Sequence, residues 1–101
     1  MKMIKLSFLL PSNNKIMNFK IEGRDIYYVD NVWKNWLRII PKDEKFVRKI
    51  IESRNKIPKE ILTMFNLSEK DKKEYEGAKT EEELAKIITK DCLAKGLRLI
   101  K

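Results

Sequence analysis

The sequence predicts an α+β domain: a three-stranded antiparallel meander, then several short helices packed on one sheet face, then a C-terminal strand that rejoins the sheet. Three observations predict it. Apolar residues recur with a period of two near the start of the chain. After residue 30 their spacing changes to three and four. A short, strand-compatible run follows the last glycine.

Met3 to Leu10 sets Ile4, Leu6, Phe8 and Leu10 against Met3, Lys5, Ser7 and Leu9, the alternation of a partly buried strand. Pro11, Ser12, Asn13 and Asn14 are turn formers. Alternation resumes over Ile16 to Ile21, with Met17, Phe19 and Ile21 opposite Asn18 and Lys20. Glu22-Gly23-Arg24-Asp25 holds a glycine able to take positive φ, which predicts a tight hairpin into a third strand, Asp25 to Val29.

Asp30 then reads as an N-cap for a helix carrying Val32, Trp33, Trp36, Leu37 and Ile40 on one face and ending at Pro41. A second helix follows the acids Asp43 and Glu44, with Phe46, Val47, Ile50 and Ile51 at helical spacing, and runs to about Ser53. Arg54 to Ile57 breaks the pattern. Pro58 suits a first helical position, and Ile61, Leu62 and Phe65 mark a short third helix.

Ser68 and Asp71 begin a polar helix to Glu76 anchored by Tyr75, with Gly77 as its stop. Thr80 with Glu83 forms a capping box before the stripe Leu84, Ile87, Ile88 and Cys92, and Gly96 suits a left-handed C-cap. Leu97 to Ile100 predicts the last strand. A chain of 101 residues without repeats or low-complexity tracts reads as a single domain, 1–101.

Composition excludes several chemistries. A hydrophobic fraction of 43% argues against disorder, and no apolar run approaches the ~20 residues of a membrane-spanning helix. The apolar run Phe8 to Leu10 is too short for the core of a signal peptide, so a cytoplasmic, intracellular location is expected. With one cysteine and no histidine, the usual ligand sets for zinc, haem and iron–sulfur clusters cannot be assembled, and no metal or other cofactor is expected. Richness in Lys, Ile and Glu with few glycines is a composition also found in heat-adapted organisms.

The net charge of +8 is unevenly spread. Residues 34–59 carry nine basic side chains against three acidic ones, whereas residues 60–101 balance nine against nine. Lys34, Arg38, Lys42, Lys45, Arg48, Lys49, Arg54, Lys56 and Lys59 therefore form a concentrated footprint for a polyanion, on what reads as two helices and a connecting loop. The competing reading is a set of solvated helix faces.

Two docking geometries are open. The helices around Arg54 to Ile57 could act as a helix-turn-helix, with Lys59, Thr63 and Asn66 towards base edges; two core-packing helices joined by a loop are the commoner object. Alternatively, Phe19, Tyr27 and Tyr28 lie near Lys20 and Arg24 on strands and are candidates for stacking single-stranded bases. Tyr27 and Tyr28 must point to opposite faces, so one of them belongs to the core. Trp33 and Trp36 read as a seal between helix and sheet, or as an interface if exposed.

Catalysis is not expected. Cys92 sits within an apolar stripe near the end of a helix and reads as a core thiol. Asp25 or Asp30 with Asp43, Glu44 and Lys45 is the only set that could be stretched into a metal-dependent nuclease, and nothing in the spacing brings it together. The leading expectation is a small basic nucleic-acid-binding module that grips DNA or RNA phosphates. The alternative is a non-enzymatic protein-interaction or regulatory protein, homodimeric through an edge strand or aromatic patch, for which a virus or plasmid origin would be in keeping.

Overall fold

The computed structural model describes residues 3–30, 34–52, 57–65 and 67–100. Strands β1 (Met3–Leu10) and β2 (Lys15–Glu22) pair antiparallel along their whole length, from Met3 opposite Glu22 to Leu10 opposite Lys15. The turn between them uses its asparagines as the sequence suggests. Asn14 takes a left-handed φ of 55°, and the Asn13 side-chain oxygen accepts from the Lys15 amide at 3.0 Å. Strand β3 (Asp25–Asp30) returns after the two-residue connection Gly23-Arg24, where Gly23 has the positive φ of 61° that a tight hairpin needs at its first position.

The next element corrects the sequence expectation. Asp30 ends β3 and Asn35–Ile40 is a fourth strand, β4, paired antiparallel with β3. The Val32 and Trp33 part of the expected helix lies outside the described residues. Leu37 and Ile39 are buried while Trp36, Arg38 and Ile40 are half-exposed, a period of two. The spacings Trp36, Leu37 and Ile40 satisfy a helix equally well, and the free edge of β3 decides in favour of the strand. Ile26 faces Ile40 while Tyr27 faces Arg38, which makes Ile39 the extra residue of a β-bulge.

Helix α1 (Glu44–Glu52) opens with the Asp43 carboxylate accepting from the Phe46 amide at 2.9 Å, a side-chain cap. Phe46 enters the core; Ile51, expected in the same stripe, is 66% exposed. Helix α2 (Lys59–Phe65) follows Pro58, whose carbonyl accepts from the amides of Ile61 and Leu62. Helix α3 (Glu69–Gly77) is capped by Ser68, whose hydroxyl accepts from the Asp71 amide. Helix α4 (Glu81–Ala94) is capped by Thr80, whose hydroxyl accepts from the Glu83 amide at 3.1 Å. The Glu83 carboxylate reaches back to the Lys79 amide rather than to that of Thr80.

Helix α4 stops in a Schellman arrangement. Gly96, at φ 86°, donates to Leu93 O, and Leu97 donates to Cys92 O. This turn aims the chain into β5 (Arg98–Leu99), which pairs antiparallel with β1 and is extended by the Ile100 amide bonding to Ser7 O at 2.8 Å. The sheet order is β4-β3-β2-β1-β5.

The core lies on one face of this sheet. Phe8, Met17, Phe19, Ile21, Ile26, Tyr28, Leu37 and Ile39 pack against Phe46, Ile61, Leu84, Ile88 and Cys92 from the helices. Phe8 and Phe19 meet edge to face with ring centroids 5.8 Å apart. The opposite sheet face carries no helix among the described residues. No helix among them is long and apolar enough to cross a membrane.

Candidate nucleic-acid interface

Strand parity determines which side chains reach the uncovered face. The paired positions Lys5, Lys20, Tyr27 and Arg38 form one row across β1, β2, β3 and β4. Ser7 opposite Asn18, Leu9 opposite both Ile16 and Arg98, and Val29 opposite Trp36 share the same face at other register positions. The Ser7 hydroxyl and Asn18 side-chain oxygen are joined at 2.6 Å, so two polar groups of the face satisfy one another.

Lys20 is the centre of this row. Its Nζ lies 5.0 Å from the ring centroids of both Tyr27 and Trp36, and 3.3 Å from Glu22 Oε1. The ammonium is held by two ring quadrupoles and one carboxylate, and its side chain is only 18% exposed. The Tyr27 phenol is neutral at physiological pH in any case, and burial, with Asp25 and Glu22 nearby, raises its pKa further. Tyr27 thus offers an uncharged ring beside a fixed cation.

The sequence singled out three rings for stacking, and two of them are unavailable. Phe19 and Tyr28 are 1% and 3% exposed, packed against one another with centroids 5.8 Å apart. Because residues i and i+1 of a strand face opposite ways, burying Tyr28 puts Tyr27 outside. Trp36, for which the sequence allows either a seal between helix and sheet or an exposed interface, stands half-exposed on β4 as the second ring of the open face. Its signal in the sequence is the alternation of Trp36 and Arg38 with Leu37 and Ile39. Arg24 does not join the rings: its guanidinium donates to the Glu76 backbone carbonyl.

The described cations, expected on two helices and a loop, lie along an edge strand, the turn after it and two helices. Lys34 enters β4 in a left-handed conformation with φ 53°. Arg38 sits in mid-strand and Lys42 follows Pro41. Lys45, Arg48 and Lys49 are on α1, and Lys59 begins α2. Arg54 and Lys56 lie outside the described residues. Since β4 is an outer strand, Arg38 stands with Trp36 at the border of the open face, whereas α1 and α2 bury Phe46 and Ile61 in the core on the other face.

These cations are not equivalent. Arg38 places Nη1 3.8 Å from Asp25 Oδ2 and Nε 3.5 Å from Asp43 Oδ2, so its charge is largely offset by two carboxylates. Lys45 and Arg48 are exposed, three residues apart on one side of α1, and neither forms an ion pair with a described residue.

The helix-turn-helix geometry gains little. Helix α2 has seven residues, about two turns, and buries Ile61; the Thr63 hydroxyl donates to the Glu60 carbonyl at 2.8 Å. Asn66 is outside the described residues. Of the acids considered for a nuclease, Asp25 and Asp43 meet at Arg38 rather than around an ion-sized gap, and the Asp30 side chain is not among those described. Cys92 is buried, and burial pushes its thiol up to about 12. Comparison with protein-family models, curated proteins and solved structures finds no match to this chain.

Proposed function

We propose that this protein is a small, non-enzymatic, single-strand nucleic-acid-binding module that uses the open sheet face as a stacking platform and the basic segment beside it as a phosphate grip. The observation that carries the reading is the trio of Tyr27, Lys20 and Trp36 on a sheet face with no described helix over it. Aromatic rings accept any base, and adjacent cations meet the backbone that the same strand must bring with it. Lys34, Lys42, Lys45, Arg48, Lys49 and Lys59 extend the positive field past the β4 edge, with Arg54 and Lys56 in the same stretch of sequence. Arg38 serves chiefly to hold Asp25 and Asp43 in place beside the platform.

The test is fluorescence anisotropy with labelled single- and double-stranded DNA and RNA, at low and near-physiological salt. Preference for a single strand that survives the higher salt supports the platform. Binding to duplex alone, or binding lost at the higher salt, refutes it.

A second reading, a protein-interaction or regulatory protein that self-associates, has its own observation. The short outer strand β5 ends at Leu99, and Ile100 follows it; both are about half-exposed, as is Leu93 of α4. A sheet edge flanked by apolar side chains is a surface on which a second chain can pair. Salt-insensitive dimerisation in a light-scattering concentration series would favour this reading over the first.

A further inference from the structure

Beyond the sheet face, a pocket of about 620 Å³ opens at the end of the sheet formed by the β2–β3 turn and the last residues of β4. Its walls are apolar: Ile39 and Ile40 from β4, Leu67 before α3, Tyr75 from α3 and Leu84 from α4. Ile39, Tyr75 and Leu84 are themselves core residues, so the pocket reaches the interior. Its size falls in the range of small-molecule sites, and apolar walls left to water are a standing cost that an apolar guest would remove.

The mouth has a different character. Arg24, Lys42 and Lys72 stand there against Asp25 and Glu76. Asp25 is already matched to Arg38, and Lys72 is 3.7 Å from Glu69 at the surface. Arg24 bonds to a backbone carbonyl, Glu76 O, and forms no ion pair with a described residue. The bond ties the β2–β3 turn to the end of α3 and fixes the guanidinium at the rim. The β-bulge supplies the final feature, since it lets both Ile39 and Ile40 contribute to the pocket.

We propose that this pocket binds a small amphipathic carboxylate, with its alkyl or aryl body between Ile40, Leu67 and Leu84 and its carboxylate on the free donors of Arg24. A guanidinium fork suits a planar carboxylate and repels a cationic head group. The site is separate from the stacking platform and stands whether or not nucleic acid binds.

Octanoate and octanol, titrated separately and followed by amide shifts in two-dimensional NMR, test it on the whole chain. The expected result is saturable octanoate binding with shifts gathered at Arg24, Lys42, Leu67 and Tyr75, and octanol binding roughly tenfold more weakly, the size of one charge-assisted hydrogen bond. Arg24→Gln should erase that preference while retaining octanol binding. Ile40→Trp, which fills the pocket, should weaken both ligands; the Arg24→Gln comparison stands without it. Equal affinity for the two ligands in the wild type, no saturable shift at millimolar ligand, or shifts gathered at Leu99 and Ile100 instead would overturn the proposal.

Discussion

Replacing Lys45 and Arg48 together by glutamine should remove two phosphate contacts without disturbing the fold. Both side chains are exposed on one side of α1, three residues apart, and neither is committed to a carboxylate among the described residues. Each phosphate neutralised on a single strand contributes about 0.7 to the log–log salt slope, so the double variant should flatten that slope by about 1.4. Referred to ~0.15 M salt, that change corresponds to a loss of about fifteenfold in affinity. Stability should stay within about 0.5 kcal/mol of the wild type, since no burial is lost. The assay is anisotropy with a labelled oligonucleotide over a series of salt concentrations. Arg38→Gln is the comparator: its charge is engaged by Asp25 and Asp43, so it should flatten the slope less than either α1 cation alone. A slope unchanged in the double variant, or flattened more by Arg38→Gln, would show that α1 is not the phosphate grip.

Tyr27→Ser should weaken single-strand binding by about 1–3 kcal/mol, the range for one base–aromatic stack, and leave the salt slope unchanged because no charge is lost; anisotropy at two salts checks both. Ile88→Ala, at a fully buried position of α4, should cost about 2–5 kcal/mol in urea denaturation. Cys92 gives a pH prediction. Its folded pKa of about 12 lies above the ordinary value of 9.0, so the thiol's contribution to stability is complete below pH 9 and is lost as pH rises towards 12. Wild type should therefore lose about 1.4 kcal/mol per pH unit in that window beyond whatever Cys92→Ala loses, as read from denaturation at pH 8 and pH 10. Parallel pH dependence in the two proteins would refute the assignment. Thr80→Ala should cost about 1 kcal/mol by removing the acceptor for the Glu83 amide, measured in the same way.

What the sequence made legible were the elements specified by local chemistry. Strands β1 to β3 alternate cleanly over long enough runs, and their turns carry Asn14 and Gly23 where positive φ is needed. Helix α4 declares both of its ends, through Thr80 with Glu83 and through Gly96. Strand β4 was not legible, because six residues hold too few positions to separate the two periods, and the partner that selects the strand is the edge of β3. The same limit governs the candidate site. Parity shows that Tyr27 and Tyr28 part company, but only the position of the helices tells which of them is buried. The basic segment is visible as a count; that Arg38 is ion-paired depends in part on Asp25, which chain order does not bring near and strand pairing does.

An antiparallel sheet can leave one face to water, so an uncovered face alone argues for nothing. The composition of this one does carry an argument. A face that merely tolerates solvent is adequately served by scattered lysine, serine and threonine, and has no need of two large rings at positions that converge on one cation. Here Trp36 and Tyr27 approach Lys20 from two different strands, and Glu22 holds the same ammonium from the end of its own strand. Ordering that lysine removes rotamer freedom that an ordinary surface lysine keeps, at an entropy cost of up to about 2 kcal/mol that the cation–π contacts must offset. The result is a cation and two neutral rings fixed in register before any ligand arrives. A strand whose phosphate displaces Glu22 from Lys20 would bring its base within reach of Tyr27 or Trp36, so that charge and stacking would act on adjacent parts of one nucleotide. Lys20→Met separates this from a purely structural role: the thioether keeps contact with the rings but loses the charge. If the ammonium acts on phosphate, the variant folds as stably as the wild type, binds more weakly and shows a flatter salt slope. If Lys20 serves only to brace the rings, stability falls and the slope does not change.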